Sequence, residues 1–482
     1  MPEASCQARR VAARHRAHST GLLVLAFIVA MPDQQVAAED VTSSTARPAI
    51  KSDRWQEDWS PLANPALRTE PLDALKYIPL SPTDPKSYIS LGLTLRERFE
   101  SNNAPSFGVG NVQGDSYLLQ RLWAHADVRF NENWQLFATL EDVRPFDKRT
   151  ITPVDENLLD LRHAFLAYVN TTDMGTFKAR VGRQDFAFDL QRFVSLRDGP
   201  NVRQSFDAMW ADWETGPWRF IGFVSQPVQY RDVTAFDDVS NGHFRFHTLR
   251  VERHVLGTNE LSAYYSRYDL DDAHYLDASG NERRNIFDTR FAGTQNNWDW
   301  DLEAMGQTGD VGTKEVRAWA AGARAGYTFA NATWKPRFGM QVDAASGDRH
   351  PGDNVLGTFN PLFPNGYYFA LAGYTGYVNL SHVKPSLTVK PTDKLTLMGA
   401  VGLQWRLTDM DAIYVQPNNP VPDTAQQGSR WSGVYGQTRA DYVFDANLTG
   451  AVEFVHYEVG ETIQRAGGHS STYLGVELKF AW

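Results

Sequence analysis

Cysteine is almost missing from this chain: 482 residues contain one, at position 6. Cys6 precedes the first apolar run, so it cannot anchor a lipid after cleavage. A chain processed behind that run has no thiol, no disulfide and no thiolate metal site. Long hydrophobic stretches are equally scarce. Residues 21–31 are apolar but too short to span a bilayer comfortably, and nothing later approaches the roughly 18 apolar residues of a membrane helix. A mean hydropathy of −0.43 therefore excludes a helical membrane protein. It does not exclude a barrel, whose strands hide their apolar half by alternation. Positive charge is in deficit, and the net charge of −10 argues against nucleic acid as a partner.

Catalytic constellations are absent too. There is no Gly-rich phosphate loop and no Ser nucleophile elbow. His125 beside Asp127 could pair a base with its orienter, but no inward Ser or Cys stands clearly beside them. His243 and His247 share a strand face, which is not the helical spacing of a metal pair. We expect no enzyme, no cofactor and no metal.

What is present begins with an export signal. Arg9, Arg10, Arg14 and Arg16 precede the apolar run, and Val36-Ala37-Ala38 offers small residues for cleavage before Glu39. Residues 1–38 read as a signal peptide. Residues 39–87, rich in Pro and polar residues, read as an N-terminal periplasmic extension or tether, with one short helix over 71–78. Residues 88–482 alternate. At the C-terminus, Leu474, Val476, Leu478, Phe480 and Trp482 share one parity, and Tyr473, Gly475, Glu477, Lys479 and Ala481 the other. A period of two is a strand with one apolar and one wet face. A chain that stops on such a strand with a bare aromatic suits an outer-membrane barrel, whose last strand pairs with the first and is read by the assembly machinery. The 14 Trp, 19 Tyr and 27 Phe suit membrane interfaces.

The rhythm continues from Tyr88. Short turns fall near Asn131, Thr172, Gly216, Gly257, Asn296, Asn331, Thr392 and Asn447, alternating with longer connections at 145–157, 187–204, 227–242, 270–283, 345–376, 407–430 and 459–470. Short turn, long loop, short turn predicts an all-β, up-and-down antiparallel transmembrane barrel of about 18 strands in the outer membrane. The segments 205–214, 218–226 and 244–253 carry bulky and polar residues on both parities, so their wet face is not legible.

Charged residues on strands should face the lumen, because Lys or Arg facing lipid at mid-bilayer costs roughly 2–4 kcal/mol. By parity the early strands offer Arg96, Arg98, Arg121, Arg129, Arg162, Lys178 and Arg180, with Asp127, Glu141 and Asp160 among them. The middle offers Asp299, Asp301 and Glu303, and the later strands Arg337 and Arg439. A cationic wall facing carboxylates would favour anionic or hydroxyl-rich solutes, and Arg suits carboxylates through its planar fork of donors. The same residues could equally be ion pairs that hold the wall together.

Residues 118–212 resemble the alginate-export family of outer-membrane channels. The resemblance rests on Leu119-Gln120-Arg121-Leu122-Trp123-Ala124, on the Arg162 strand ending Tyr168-Val169, and on Arg180-Val181-Gly182-Arg183-Gln184. Ser346-Gly347-Asp348 and Phe359-Asn360-Pro361-Leu362-Phe363-Pro364 are similar to members of the wider family. The resemblance implies a barrel exporting the polyuronate alginate past an arginine-rich constriction braced by loops. Arg121 and Arg162 match constriction positions, and Arg183 matches the Gly-Arg-Gln motif. Three departures stand out: Asp185 replaces an expected arginine, Glu453 stands where a basic pair is expected, and residues 367–377 contain no Arg. The expected function is an outer-membrane channel for an alginate-like or other anionic, hydroxyl-rich solute. A porin taking up small organic acids or aromatic compounds, and an outer-membrane enzyme or adhesin, are the alternatives.

Overall fold

The computed structural model describes residues 46–255 and 259–482. The expected signal peptide and the turn at Gly257 lie outside the described residues. Strands β1 (Tyr88–Asn102), β2 (Asp115–Arg129), β3 (Trp134–Phe146), β4 (Asn157–Thr172), β5 (Gly175–Gln184) and β6 (Phe206–Thr215) open the barrel. They are followed by β7 (Trp218–Gln229), β8 (Phe244–Val255), β9 (Asn259–His274), β10 (Ser279–Gln295), β11 (Trp298–Val311) and β12 (Lys314–Thr328). The last are β13 (Arg337–Ala345), β14 (Leu380–Val389), β15 (Leu395–Trp405), β16 (Trp431–Val443), β17 (Leu448–Val459) and β18 (Ser471–Ala481). Each pairs antiparallel with its neighbour, and β18 pairs with β1 from Asn102↔Tyr473 to Thr94↔Ala481, closing an 18-stranded barrel.

Alternation produces this wall. On β1, Ser90, Thr94, Arg96 and Arg98 are buried inward. On β18, Leu474, Val476, Leu478 and Phe480 are 38–48% exposed and form part of the apolar outer band. Polar side chains close the short turns. Asn131 Oδ1 accepts from the backbone of Asn133 and Trp134, and Asp445 Oδ1 from Asn447 and Leu448. Such Asx turns reverse the chain in few residues.

Two expectations change. Residues 270–283 are not a long loop: β9 and β10 run through them and turn at 275–278, with a register irregularity between Leu270 and Ala273. Trp482 does not continue the outward row. Its indole lies 4.6 Å from Lys76 Nζ, and Lys76 itself is fully buried on the inner side, donating to the Leu91 carbonyl. Gly92 makes room there, since a Cβ at that position would stand 2.7 Å from the ammonium.

The lumen is partly filled. The connections at 185–205 and 346–379 fold inward and join each other, Ser195 N donating to Phe363 O and Phe363 N to Phe193 O. Phe186 stacks on Phe223 of β7 with ring centroids 4.3 Å apart, and Phe363 meets Phe206 at 5.0 Å and Phe246 at 5.2 Å. The inner face of β6–β8 is thus apolar where Phe206, Phe223 and Phe246 meet these loops and polar at Asp212, Thr248, Arg250 and Glu252, which explains why parity could not sort these strands. From the short-turn end, residues 46–67 enter beneath the wall. Trp59 is completely buried with Leu62, Tyr77 and Tyr88. A single helical turn, α1 (Asp73–Lys76), leads back to β1.

Removing Phe480, Ala481 and Trp482 deletes the last rungs of the seam, Thr94↔Ala481 and Leu95↔Phe480. The yield of folded, heat-modifiable barrel in detergent gels should fall sharply. An unchanged yield would show that closure is secured upstream of these residues.

Candidate functional site

Trp123 on β2 lines the lumenal cavity. Three guanidinium groups surround its ring: Arg121 at 5.1 Å, Arg162 at 4.6 Å and Arg203 at 4.9 Å. Arg121 follows simple alternation. Arg162 does not: Phe165 and Ala167 of β4 are buried inward, which would turn residue 162 outward. The β3–β4 register pairs Thr139 with His163 and Leu140 with Leu161, leaving Arg162 as an extra residue. That bulge turns its side chain into the lumen.

These arginines also clamp the inward loop. Arg121 donates to Asn201 O (2.7 Å), Pro200 O (2.8 Å) and Asp198 Oδ1 (2.7 Å). Arg96 donates to Asn201 Oδ1 (3.0 Å) and Asp198 O (3.2 Å). Arg203 meets the same Asp198 carboxylate at 2.6 Å. Arg162 pairs with Asp185 at 2.5 Å. Burial alone would raise the Asp185 carboxyl, but His163 and Arg162 outweigh it and hold it well below the usual carboxylate range. Below this group a cavity of about 1500 Å³ opens toward the short-turn end, lined among others by Trp123, Arg129, Lys178, Arg180, Arg203, Arg219 and Lys479.

The remaining expected residues have diverse fates. Arg129 sits lower, bound to Asp127 at 3.0 Å and to the carbonyls of Trp55 and Glu57. Asp127 is thereby occupied, with Gln135 as its other partner, and no base–orienter pair with His125 forms. Arg180 points inward between Trp55 and Trp210. Arg183 is a correction: it lies on the outward row of β5, opposite Ala164 and Asp207, and pairs with Asp207 at 3.0 Å. Asp299, Asp301 and Glu303 do point inward, but they do not form an open acidic wall. Arg337 pairs with Asp299, Arg290 with Asp301, and the fully buried Arg192 contacts both Asp301 and Glu303. Arg439 is held by Asp441 and Glu453.

Sequence reasoning missed Arg192, Asp198 and Arg203, and the lumenal position of Trp55. All four lie outside the barrel strands, where no parity predicts which way a side chain points. The departures from the family pattern prove coherent: Asp185 pairs with Arg162, and Glu453 with Arg98 and Arg439.

The family described as alginate export matches residues 87–477. The chain belongs to the alginate-export family. No curated protein matches it in sequence. Among solved structures this alginate-export family member is similar to Acinetobacter baumannii OccAB3, with 13% identity, 82% of this chain and 99% of that one covered, and a TM-score of 0.57. It is also similar to Pseudomonas aeruginosa OccK2 in complex with glucuronate (11%, 82% and 96%, 0.54) and to OpdK from the same organism with vanillate (10%, 82% and 99%, 0.54). At these identities the likeness is one of fold. Family and architecture together make the protein an outer-membrane channel embedded in lipid through its apolar band. They are those of export channels and porins rather than of enzymes.

Proposed function

We propose that the channel passes small anionic, hydroxyl-bearing solutes of about uronate size, meeting their carboxylate with Arg203 beside Trp123. The observation that carries this reading is the ring of three guanidiniums around Trp123 at the head of the 1500 Å³ cavity. Arg121 and Arg162 are 3% and 1% exposed, so they set the potential, whereas Arg203, with a side chain 13% exposed, is the most open of the three. Loops 185–205 and 346–379 and the segment 46–67 all occupy lumen. The glucuronate bound by OccK2 has the chemistry such a site would recognise. Passage of the alginate polymer is the second reading, favoured by the family. The inward arginines then act in solute passage rather than only as structural ion pairs, and no step is catalytic. The last strand is the segment read by the barrel-assembly machinery, and residues 1–38, 39–87 and 88–482 are signal peptide, periplasmic extension and barrel.

Size separates the two solute readings. In proteoliposomes, glucuronate should enter and equilibrate, while guluronate or mannuronate oligomers of about ten residues should not. Transit of the oligomers at a comparable rate would overturn the uronate-size reading and favour the polymer.

A further inference from the structure

Arg180 is an arginine without an acceptor. It is 7% exposed, and its Nε and Nη1 are buried with no hydrogen-bond partner among the described residues. Two aromatic faces hold it instead, Trp210 of β6 at 4.4 Å and Trp55 at 4.3 Å. An ionised group buried without hydrogen bonds is costly, and aromatic faces offset part of that cost. One of those faces is not part of the barrel wall. Trp55 belongs to the N-terminal segment, and its ring stands edge-on to Phe165 at 6.1 Å.

The segment is latched from several strands. Arg129 and Gln135 each donate to the Trp55 carbonyl at 2.9 Å. Arg54 donates to Trp482 O (2.8 Å), Leu93 O (3.3 Å) and Thr94 Oγ1 (3.1 Å). Residues 52–55 pack up to the level of Trp123 and Arg203, where they share the lining of a void of about 20 Å³. The wall therefore carries a guanidinium without a hydrogen-bonded acceptor, in the field of Asp185, Asp53 and Asp212, that a non-wall residue covers.

We propose that Trp55 is a specificity-determining residue of the channel: it narrows the vestibule at the short-turn end and withholds Arg180 from anions. With Trp55 in place, Arg203 is the cationic contact beside Trp123, Arg180 is stacked between two indoles at the cavity wall, and the passage stays narrow. With Trp55 displaced, the Arg180 fork faces the vestibule and adds a second carboxylate contact in line with the first. This rests on the channel reading alone and not on the solute proposed above, so it can fail independently of it.

Single-channel recordings of the full mature chain in KCl test it, with the heat-modifiable band as the control for folding. Trp55→Ala should raise conductance at least about twofold and shift the reversal potential toward anions. Trp55→Ala with Arg180→Gln should keep the higher conductance and lose the shift. A folded Trp55→Ala channel with wild-type conductance and reversal potential would overturn the proposal. A shift that survives in the double variant would overturn the role of Arg180. Should Trp55→Ala not fold, Arg54→Met releases the bonds to Trp482, Leu93 and Thr94 while leaving Trp55 and Arg180 in the chain. It should raise conductance in the same direction, and unchanged conductance there would overturn the proposal as well.

Discussion

Replacing Arg98 with leucine should lower the temperature at which the detergent-held barrel loses its heat-modifiable band, and strongly. Arg98 is 1% exposed. Its guanidinium donates to Glu100 (2.6 Å), Glu453 (2.6 Å), Glu477 (3.1 Å) and the Tyr473 hydroxyl (2.7 Å). Those partners come from β1, β17 and β18, so one side chain ties the closing seam to its neighbours. Removing it leaves carboxylates crowded together, and Glu453 is itself 1% exposed. Breaking one partner of a buried pair costs about 3–5 kcal/mol, because the charge left behind is uncompensated. Adding Glu453→Gln to Arg98→Leu should restore part of the loss, since the most buried of the abandoned charges is then gone. An unchanged transition in Arg98→Leu would mean that water or Arg439 already neutralises the cluster.

Charge removal at Arg121 and Arg162 together (Arg121→Gln with Arg162→Gln) should move the reversal potential in a KCl gradient toward cations. The two arginines oppose Asp198 and Asp185. Without them Asp198 keeps Arg96 and Arg203, and Asp185 keeps His163 and the nearby Arg203, with Asp53 close by, in a passage where screening is weak. Relative ion permeability should change several-fold. Arg121 also secures Asn201 O and Pro200 O, so the current should become noisier as the inward loop loosens, while Arg121→Lys should keep the selectivity and lose part of the clamp. An unaltered reversal potential in a folded barrel would remove both residues from selectivity and leave it to Arg203. Loss of the folded band would make the pair structural.

The barrel was legible because its cause is local. A strand with lipid on one side and water on the other must alternate, and a short turn needs residues such as Asn131 and Asp445, so strand number and the inward side of Arg96, Arg98 and Arg121 could be read directly. That reading failed on β6–β8, where Phe206, Phe223 and Phe246 face inward against loop aromatics. Alternation reports a contrast between two environments, and around those aromatics both faces are apolar. Arg183 failed for a related reason: a polar side chain at the rim can stay on the outer row when Asp207 beside it supplies a counter-charge.

The sequence by itself determined the antiparallel barrel, its unlike ends, its closure through the last strand and its place in the alginate-export family, since each follows from periodicity or short motifs along the chain. Tertiary structure alone decided which arginines stand together. Arg162 reaches Trp123 through one extra residue in β4, Arg203 and Asp198 arrive on a loop without periodicity, and Trp55 comes from the N-terminal segment to cover Arg180. Contacts between residues far apart in the chain depend on how loops pack inside a closed wall, and no local pattern encodes that packing.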